Sequence, residues 1–342
     1  MNKVTVLMPV LNCAKHLNSS VRSILEQTFQ DFQFLIIDDG SEDGGQDVIR
    51  RFQDPRIRLI QNESNLGVAA TLNKGLALSA SEYIVRMDAD DVSKSNRLAC
   101  QVEIMEKDAG LDICGSWVKM ISDNEKSQVI RYPTKSSAIK AYILFNNPLA
   151  HPAVILRKSS LDRHGLRYDE RIGAGQDYEF WSRCSEFCCI QNIPKVLLLW
   201  HRHSQGVTNR ESEKSNKAAM TVQKHELMKL GITCDARKLE EHREIGQRCG
   251  MQSIRQLEDA LAWLNRIITA NNVSKQYDEK SLLQIIAMIW LQLCTSSSAS
   301  SIHVIRKYFS APFYSSYTPH IAEVAVFFFR SVATLLRRNQ HQ

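Results

Sequence analysis

Four short apolar runs near the start of the chain, each closed by turn-forming residues, restrict it to a layered α/β fold. They are Lys3–Met8, Phe32–Ile37, Ile57–Gln61 and Tyr83–Met87. Each is too short for a helix and is dominated by Val, Ile, Leu and Phe, the mark of a strand buried on both faces. Residues 14–27, 45–52 and Ala69–Ser79 carry helical periodicity between them. This alternation predicts a mostly parallel sheet with helices on both faces. In such sheets ligands collect beyond the C-terminal ends of the strands. Asp38, Asp39, Asn65, Asp88 and Asp90 all fall at or just past such ends.

The fourth run ends in Asp88, Asp90 and Asp91, three acids within four residues. Carboxylates packed this closely at a strand end suit a hard divalent cation, Mg2+ or Mn2+, together with a diphosphate. A solvated acidic turn carries the same residues. The turn at Ala89 decides whether Asp88 and Asp90 converge, because alternate strand residues share a face only while the strand lasts.

Other candidates are each open to a plainer explanation. Asp38 and Asp39 begin an Asp-Gly-Ser turn, a common turn composition, yet a carboxylate there can accept from a pyrimidine N–H. Gly67, after Asn65 and Leu66, permits positive φ or close backbone approach. Gly173 and Gly175 lead into Gln176 and Asp177 at the start of an amphipathic helix. Asp177 is either a helix cap or a general base for an acceptor hydroxyl. His151, His201 and His203 are candidate metal ligands or packed and exposed histidines.

Beyond residue 98 the pattern loosens. Leu98–Glu106 reads as a helix, Ile113–Ile121 as a strand, 122–135 as a polar loop, and Ala153–Arg157 and Val196–Trp200 as short strands. From about residue 210 the chain reads as mostly helical, over 209–230, 235–265, 280–294, 302–309 and 320–338, with a Ser-rich linker at Ser296–Ser301. Leu282–Leu293, with Trp290 inside it, reads as a buried helix. Ile321–Leu336 repeats apolar residues at helical spacing beside Arg330, Arg337 and Arg338, which fits either a helix lying on an anionic bilayer or a packing helix.

The 342 residues carry a formal net charge of +6, enough for an anionic partner without choosing one. Basic residues are not clustered with aromatics, so no nucleic-acid surface is expected. No Walker loop or G-x-G-x-x-G follows the first strand, which excludes the usual ATP and dinucleotide signatures. The nine cysteines lack zinc-site spacing and no secretion signal precedes them, so reduced thiols in a cytoplasmic protein are expected. No run reaches the roughly 18 apolar residues of a spanning helix.

Several linked signals resemble family 2 glycosyltransferases of the GT-A fold, of the kind that build bacterial O-antigen or capsule repeat units. These are Val6-Leu-Met-Pro-Val-Leu-Asn12, Phe34-Leu-Ile-Ile-Asp-Asp-Gly-Ser41, Asn65-Leu-Gly-Val-Ala69 with Leu72-Asn-Lys-Gly75, Tyr83 to Asp91, and Gln176-Asp177. The resemblance covers about residues 3–205. It implies a catalytic domain over 1–208, with a nucleotide-binding half (1–97) and an acceptor-binding half (98–208), and a helical region over 209–342. It also implies roles. Pro9 and Asp39 border the base, Asp38, Asn65 and Gly67 line the donor site, and Arg86 and Asp88 approach the ribose or diphosphate. Asp90 and His203 hold Mn2+ or Mg2+, and Asp177 is the base. Asp91, His151, Gln176 and His201 fall on the acceptor side. The family pair is usually Glu-Asp, so Gln176 departs from it and removes the charge beside the base.

The implied reaction is an inverting transfer of a hexose or N-acetylhexosamine from a UDP-sugar to a lipid-diphosphate-linked saccharide. The implied place is the inner face of the cell membrane, peripherally bound to its anionic surface, with a homodimer through the C-terminal helices as a further expectation. Two alternatives remain at this point. A metal-dependent nucleotidyltransferase would carry a Gly-rich basic loop where Pro9–Lys15 stands. A non-catalytic membrane-associated protein with a degenerate transferase fold would tolerate loss of Asp90 and Asp177.

Overall fold

The computed structural model describes residues 2–122, 126–202, 212–297, 301–319 and 323–327. The chain forms two compact units, 1–139 with 147–218, and 140–146 with 219–342.

The first unit is built on a nine-stranded sheet. Its N-terminal part alternates strand and helix as the sequence predicts: β1 (Val4–Val10), α1 (Ala14–Leu25), β2 (Phe32–Asp38), α2 (Gly45–Arg50), β3 (Ile57–Gln61), α3 (Val68–Leu78) and β4 (Tyr83–Arg86). These four strands lie parallel in the order β3-β2-β1-β4. Pro9 lies within β1, opposite Ile37. It lies past the last β1 residue paired with β4, so its missing N–H breaks no bond on that side.

The rest of the unit holds β5 (Val92–Ser93), α4 (Arg97–Lys107), β6 (Ile113–Ile121), β7 (Gln128–Ile130), α5 (Ser136–Ile143), a 3-10 turn at His151–Ala153, β8 (Ile155–Arg157), α6 (Lys158–Arg163), α7 (Gln176–Phe187) and β9 (Ile190–His201). The full order is β3-β2-β1-β4-β8-β6-β9-β5, with β7 on β6. Here the expectation of a mostly parallel sheet needs correction. β8 is antiparallel to β4 and β6, β5 to β9, and β7 to β6, while β9 alone runs parallel to β6. Only β7 returns on its partner β6 through a short connection; β8 and β9 reach their neighbours over long segments, which constrain the strand direction to neither sense. The polar stretch expected as a loop contains β7.

One core joins both halves of this sheet. Val4, Val6, Met8, Phe32, Phe34, Ile36, Val85 and Met87 pack with Leu98, Val102, Cys114, Ile155 and Leu198. On the opposite face Leu7, Leu35, Ile37 and Ile84 are buried too, so β1, β2 and β4 are apolar on both faces, whereas the edge strand β3 is only half-buried.

The second unit is helical: the later part of α8 (Ser212–Lys229), α9 (Ala236–Gln247), α10 (Ile254–Ser274), α11 (Glu279–Ser296) and α12 (Ser301–Ser310). Ser253 caps α10 in a reciprocal capping box with Gln256, which satisfies two N-terminal donors at once. Trp290 is buried with Leu282, Ile285, Ile286, Ala287, Ile289, Leu291 and Leu293 of α11, as the buried-helix expectation required. His242 is buried between Leu144 O (2.8 Å) and the Trp263 indole N–H (3.0 Å). Of the stretch Ile321–Leu336, only 323–327 are among the described residues, and these are helical. No described helix is long and apolar enough to cross a membrane.

Candidate active site

The ends of β1, β2 and β4 place the candidate residues on one side of the sheet. The β1–α1 and β2–α2 loops are laced together there. Asn12 N donates to Ser41 Oγ (3.0 Å), Glu42 N donates to Asn12 Oδ1 (3.0 Å), and Asp43 accepts the Ala14 N–H at 2.7 Å. A carboxylate from one loop thus caps the helix after the other, where the dipole favours it.

Asp38 and Asp39 separate in role. Asp38 is buried and closes its own turn, accepting from Ser41 N (3.1 Å), Ser41 Oγ and Gln46 Nε2. Asp39 reaches the next loop. Its Oδ1 accepts from Asn62 Nδ2 (2.7 Å) and Leu66 N (2.9 Å), and its Oδ2 from Gly67 N (2.9 Å). Gly67 has φ +88°, a conformation that a side chain would strain. Its N–H also meets the Asn65 Oδ1 at 2.9 Å, so Asn65 and Gly67 shape the loop that holds Asp39. Asn62 carried no sequence signal beyond following β3.

At the end of β4 the acids converge. One carboxylate oxygen from each of Asp88, Asp90 and Asp91 lies within 4.8 Å of the others. Asp91 is tied from two sides: its Oδ1 accepts from His201 N (2.9 Å) and its carbonyl from Ser20 Oγ (2.5 Å). Its Oδ2 is buried with no hydrogen-bond partner, an uncommon state for a buried polar atom. Burial, then Asp88, pushes Asp90 up to about 6. Burial, with Asp88 and Asp90, raises Asp91 further. Three hard oxygen donors, one of them an orphan and two disfavoured as anions, fit a divalent cation. Asp91, expected on the acceptor side, thus sits in the acid cluster.

Arg86 is buried directly before these acids and ion-pairs with Asp88. Its Nε has no hydrogen-bond partner. Behind it, Arg97 Nη2 donates to the Arg86 carbonyl (2.8 Å) and Arg97 Nε to Gln101 (3.0 Å). These buried contacts fix the strand end from which the acids depart.

Asp177 lies in the first turn of α7, following Gly175 at φ +77°. Asn147 Nδ2 donates to its Oδ2 at 2.7 Å. Burial raises the Asp177 pKa, the Asn147 bond opposes that rise, and Arg86 lowers it further. The Arg86 charge therefore acts on both the acid cluster and Asp177. Gln176 is buried beside Asp177. His151 is buried and hydrogen-bonded through Nε2 to Tyr168 OH (2.9 Å), with Trp181 edge-on to its ring. Burial holds it well below its usual pKa, so it stays neutral.

His201 ends β9, with its backbone rather than its ring on Asp91. His203 lies outside the described residues. Trp117 donates to Tyr132 O at 3.0 Å. Sequence reading missed Asn62 and Asn147, which reach Asp39 and Asp177 only across long sequence separations, and Tyr168, which holds His151.

The family model for glycosyl transferase family 2 matches residues 5–165. An uncharacterized glycosyltransferase of Methanocaldococcus jannaschii is 35% identical over 217 residues, spanning 61% of this chain and 72% of the relative. This chain belongs to glycosyltransferase family 2. A UDP-Gal:alpha-D-GlcNAc-diphosphoundecaprenol beta-1,3-galactosyltransferase of Escherichia coli is 29% identical over 205 residues, 57% of this chain and 73% of that one. The fold of this family 2 glycosyltransferase is similar to that of S. aureus TarS 1–349 in complex with UDP-GlcNAc. The TM-score is 0.56 at 15% identity, covering 99% of this chain and 92% of that chain.

Proposed function

We propose that this enzyme transfers a hexose or N-acetylhexosamine, with inversion, from a UDP-sugar to a hydroxyl of a lipid-diphosphate-linked saccharide. The observation that carries this reading is the convergence of Asp88, Asp90 and Asp91, with the orphan Asp91 Oδ2, beside a buried Arg86 whose charge also reaches Asp177. The E. coli relative's named donor and acceptor support the substrate classes.

Asp39 meets the base and Pro9 borders it, with Asp38, Asn65 and Gly67 shaping the surrounding loops. Arg86 and Asp88 face the diphosphate side. Asp90 and its neighbours hold Mn2+ or Mg2+, which when bound offsets charge on a diphosphate leaving group. Asp177 accepts the proton of the acceptor hydroxyl. As the hydroxyl oxygen bonds to the anomeric carbon from the opposite face, the carbon–oxygen bond to UDP breaks and UDP leaves with the electron pair. A single displacement inverts, so an α-linked donor gives a β-linked product. Gln176, His151 and His201 lie on the acceptor side, where a neutral His151 adds no charge.

A lipid-borne acceptor places the enzyme at the inner face of the cell membrane, on its anionic surface. Exposed Ile302 and Phe309 on α12, with exposed Arg306 between them, support such a surface. The domain boundary near residue 208 and a homodimer through the C-terminal helices complete the proposal. The test is UDP release across a panel of UDP-sugars with a short lipid-diphosphate acceptor, with and without Mn2+. Release is expected to require a divalent ion and to vanish in Asp90→Asn. Full activity in EDTA would refute the metal assignment.

A further inference from the structure

We infer that Asn62 is a specificity-determining residue: it occupies one oxygen of Asp39 so that this carboxylate reads a single N–H, selecting a uracil-type edge over guanine. The inference rests on the proposal that Asp39 meets the base.

The argument is one of acceptor capacity. A carboxylate oxygen takes about two hydrogen bonds. Oδ1 of Asp39 already has two, from Asn62 Nδ2 (2.7 Å) and Leu66 N (2.9 Å). Oδ2 has one, from Gly67 N (2.9 Å), and keeps room for one more. Asp39 is only 3% exposed, so a base reaches it by an edge, not a face. Uracil offers there one imide N–H flanked by carbonyl oxygens. Guanine offers two adjacent N–H donors, at N1 and the 2-amino group, which suit a carboxylate with both oxygens open. With Oδ1 filled, the second guanine donor is left without a partner, and a buried unpaired donor is costly. Cytosine presents an acceptor at the same position and opposes the carboxylate outright.

Asn62 is itself held to this task. It is buried, its backbone N–H donates to Asp38 O (2.8 Å), and Nδ2 also lies 3.2 Å from Thr71 Oγ1. The Lys74 ammonium donates to its Oδ1 at 2.6 Å. A cation on the amide oxygen makes the amide N–H a stronger donor, while the Asp39 carboxylate, which can only accept, itself selects the Nδ2 end. The same lysine would move onto Asp39 if Asn62 alone were removed, so a clean variant must change both.

The experiment is competition of UDP, GDP and inosine diphosphate against a labelled UDP, using the full chain. Inosine diphosphate keeps the N1–H of guanine and lacks the 2-amino group. In the wild type, GDP and inosine diphosphate are expected to bind within about twofold of each other, because the 2-amino group finds no acceptor. In Asn62→Ala/Lys74→Met, GDP is expected to gain about tenfold over inosine diphosphate, the worth of one charge-assisted hydrogen bond. Lys74→Met alone should leave the ratio unchanged. A wild type that prefers GDP over inosine diphosphate by tenfold overturns the inference without any variant. So does an unchanged ratio in the double variant while Asp39→Ala weakens UDP at least tenfold. If Asp39→Ala leaves UDP affinity intact, the base-site assignment itself has failed instead.

Discussion

Replacing Asp90 with asparagine should stabilise the metal-free protein while abolishing its response to metal. The rise of Asp90 from an ordinary 3.8 to about 6 corresponds to about 3 kcal/mol of preference for the neutral acid. Burial is the larger cause and the Asp88 charge the second. An independent figure comes from the geometry. Two charges 4.8 Å apart, the widest spacing in the cluster, repel by about 3.5 kcal/mol at an effective dielectric of 20 and by about 0.9 kcal/mol in water. The site lies between these limits, so relief of about 1–3 kcal/mol is expected. The sign follows from proton linkage. Between about pH 4 and pH 6 the folded state holds the Asp90 proton more tightly than the unfolded chain. Stability therefore falls as pH rises through this window, and the full penalty is present at pH 7. Thermal unfolding in EDTA at pH 7 should show Asp90→Asn melting a few degrees above wild type, at about 2–4 °C per kcal/mol for a unit of this size. At pH 4 the difference should shrink. Added Mn2+ should raise the wild-type melting temperature by mass action and leave the variant almost unmoved. A variant that melts lower in EDTA, or that keeps the full Mn2+ response, would refute the cation site.

Asp177→Asn should lower kcat by about 10²–10⁴-fold, the usual worth of a general base, with UDP affinity by calorimetry nearly unchanged. Asn147→Ala removes the bond that favours the Asp177 carboxylate, so the acidic limb of kcat/KM should move to higher pH, and an unmoved limb would count against Asp177 as the base. Gly75→Ala would put a methyl 2.2 Å from Leu7 Cδ1 in the core and should cost about 1–3 kcal/mol by overpacking, read as a lower urea midpoint with an unchanged slope.

The N-terminal strands were legible because β1, β2 and β4 are short, mostly apolar, buried runs, and even the half-exposed β3 keeps Ile57, Leu59 and Ile60 between turn residues. β7 was not. Gln128–Ile130 is a three-residue edge strand paired only with Val118–Met120, and three residues are too few to show a period. β9 was read too short because Pro194 looks like a break. The ladder passes it by a bulge: Ser116 pairs with Ile193 and Trp117 with Val196, leaving Pro194 and Lys195 outside the register. In the site, Asp88, Asp90 and Asp91 declared themselves by adjacency along the chain. Asn147 and Asp177, or Asn62 and Asp39, meet only after folding, and an asparagine in a turn has too many ordinary uses to stand out.

The run Leu72-Asn73-Lys74-Gly75 explains why a sequence signature need not touch a ligand. Asn73 takes the Tyr168 N–H on its Oδ1 and gives its Nδ2 to the Tyr168 carbonyl, both at 2.9 Å, so one amide clamps that segment like a strand neighbour. Tyr168 in turn holds His151. Lys74 braces Asn62 behind Asp39, and Gly75 lets Leu7 of β1 close against α3. Three consecutive residues on one helix thus tie the Asp39 loop, the central strand and the His151 segment into a single frame. Each role needs its own chemistry: a planar amide with donor and acceptor, a long cation, and no side chain at all. The 100° step between successive helix positions turns the three residues toward these three different neighbours. The positions of the acids depend on this frame, because a carboxylate aimed at a diphosphate or a base is only as well placed as the strand ends and loops that carry it.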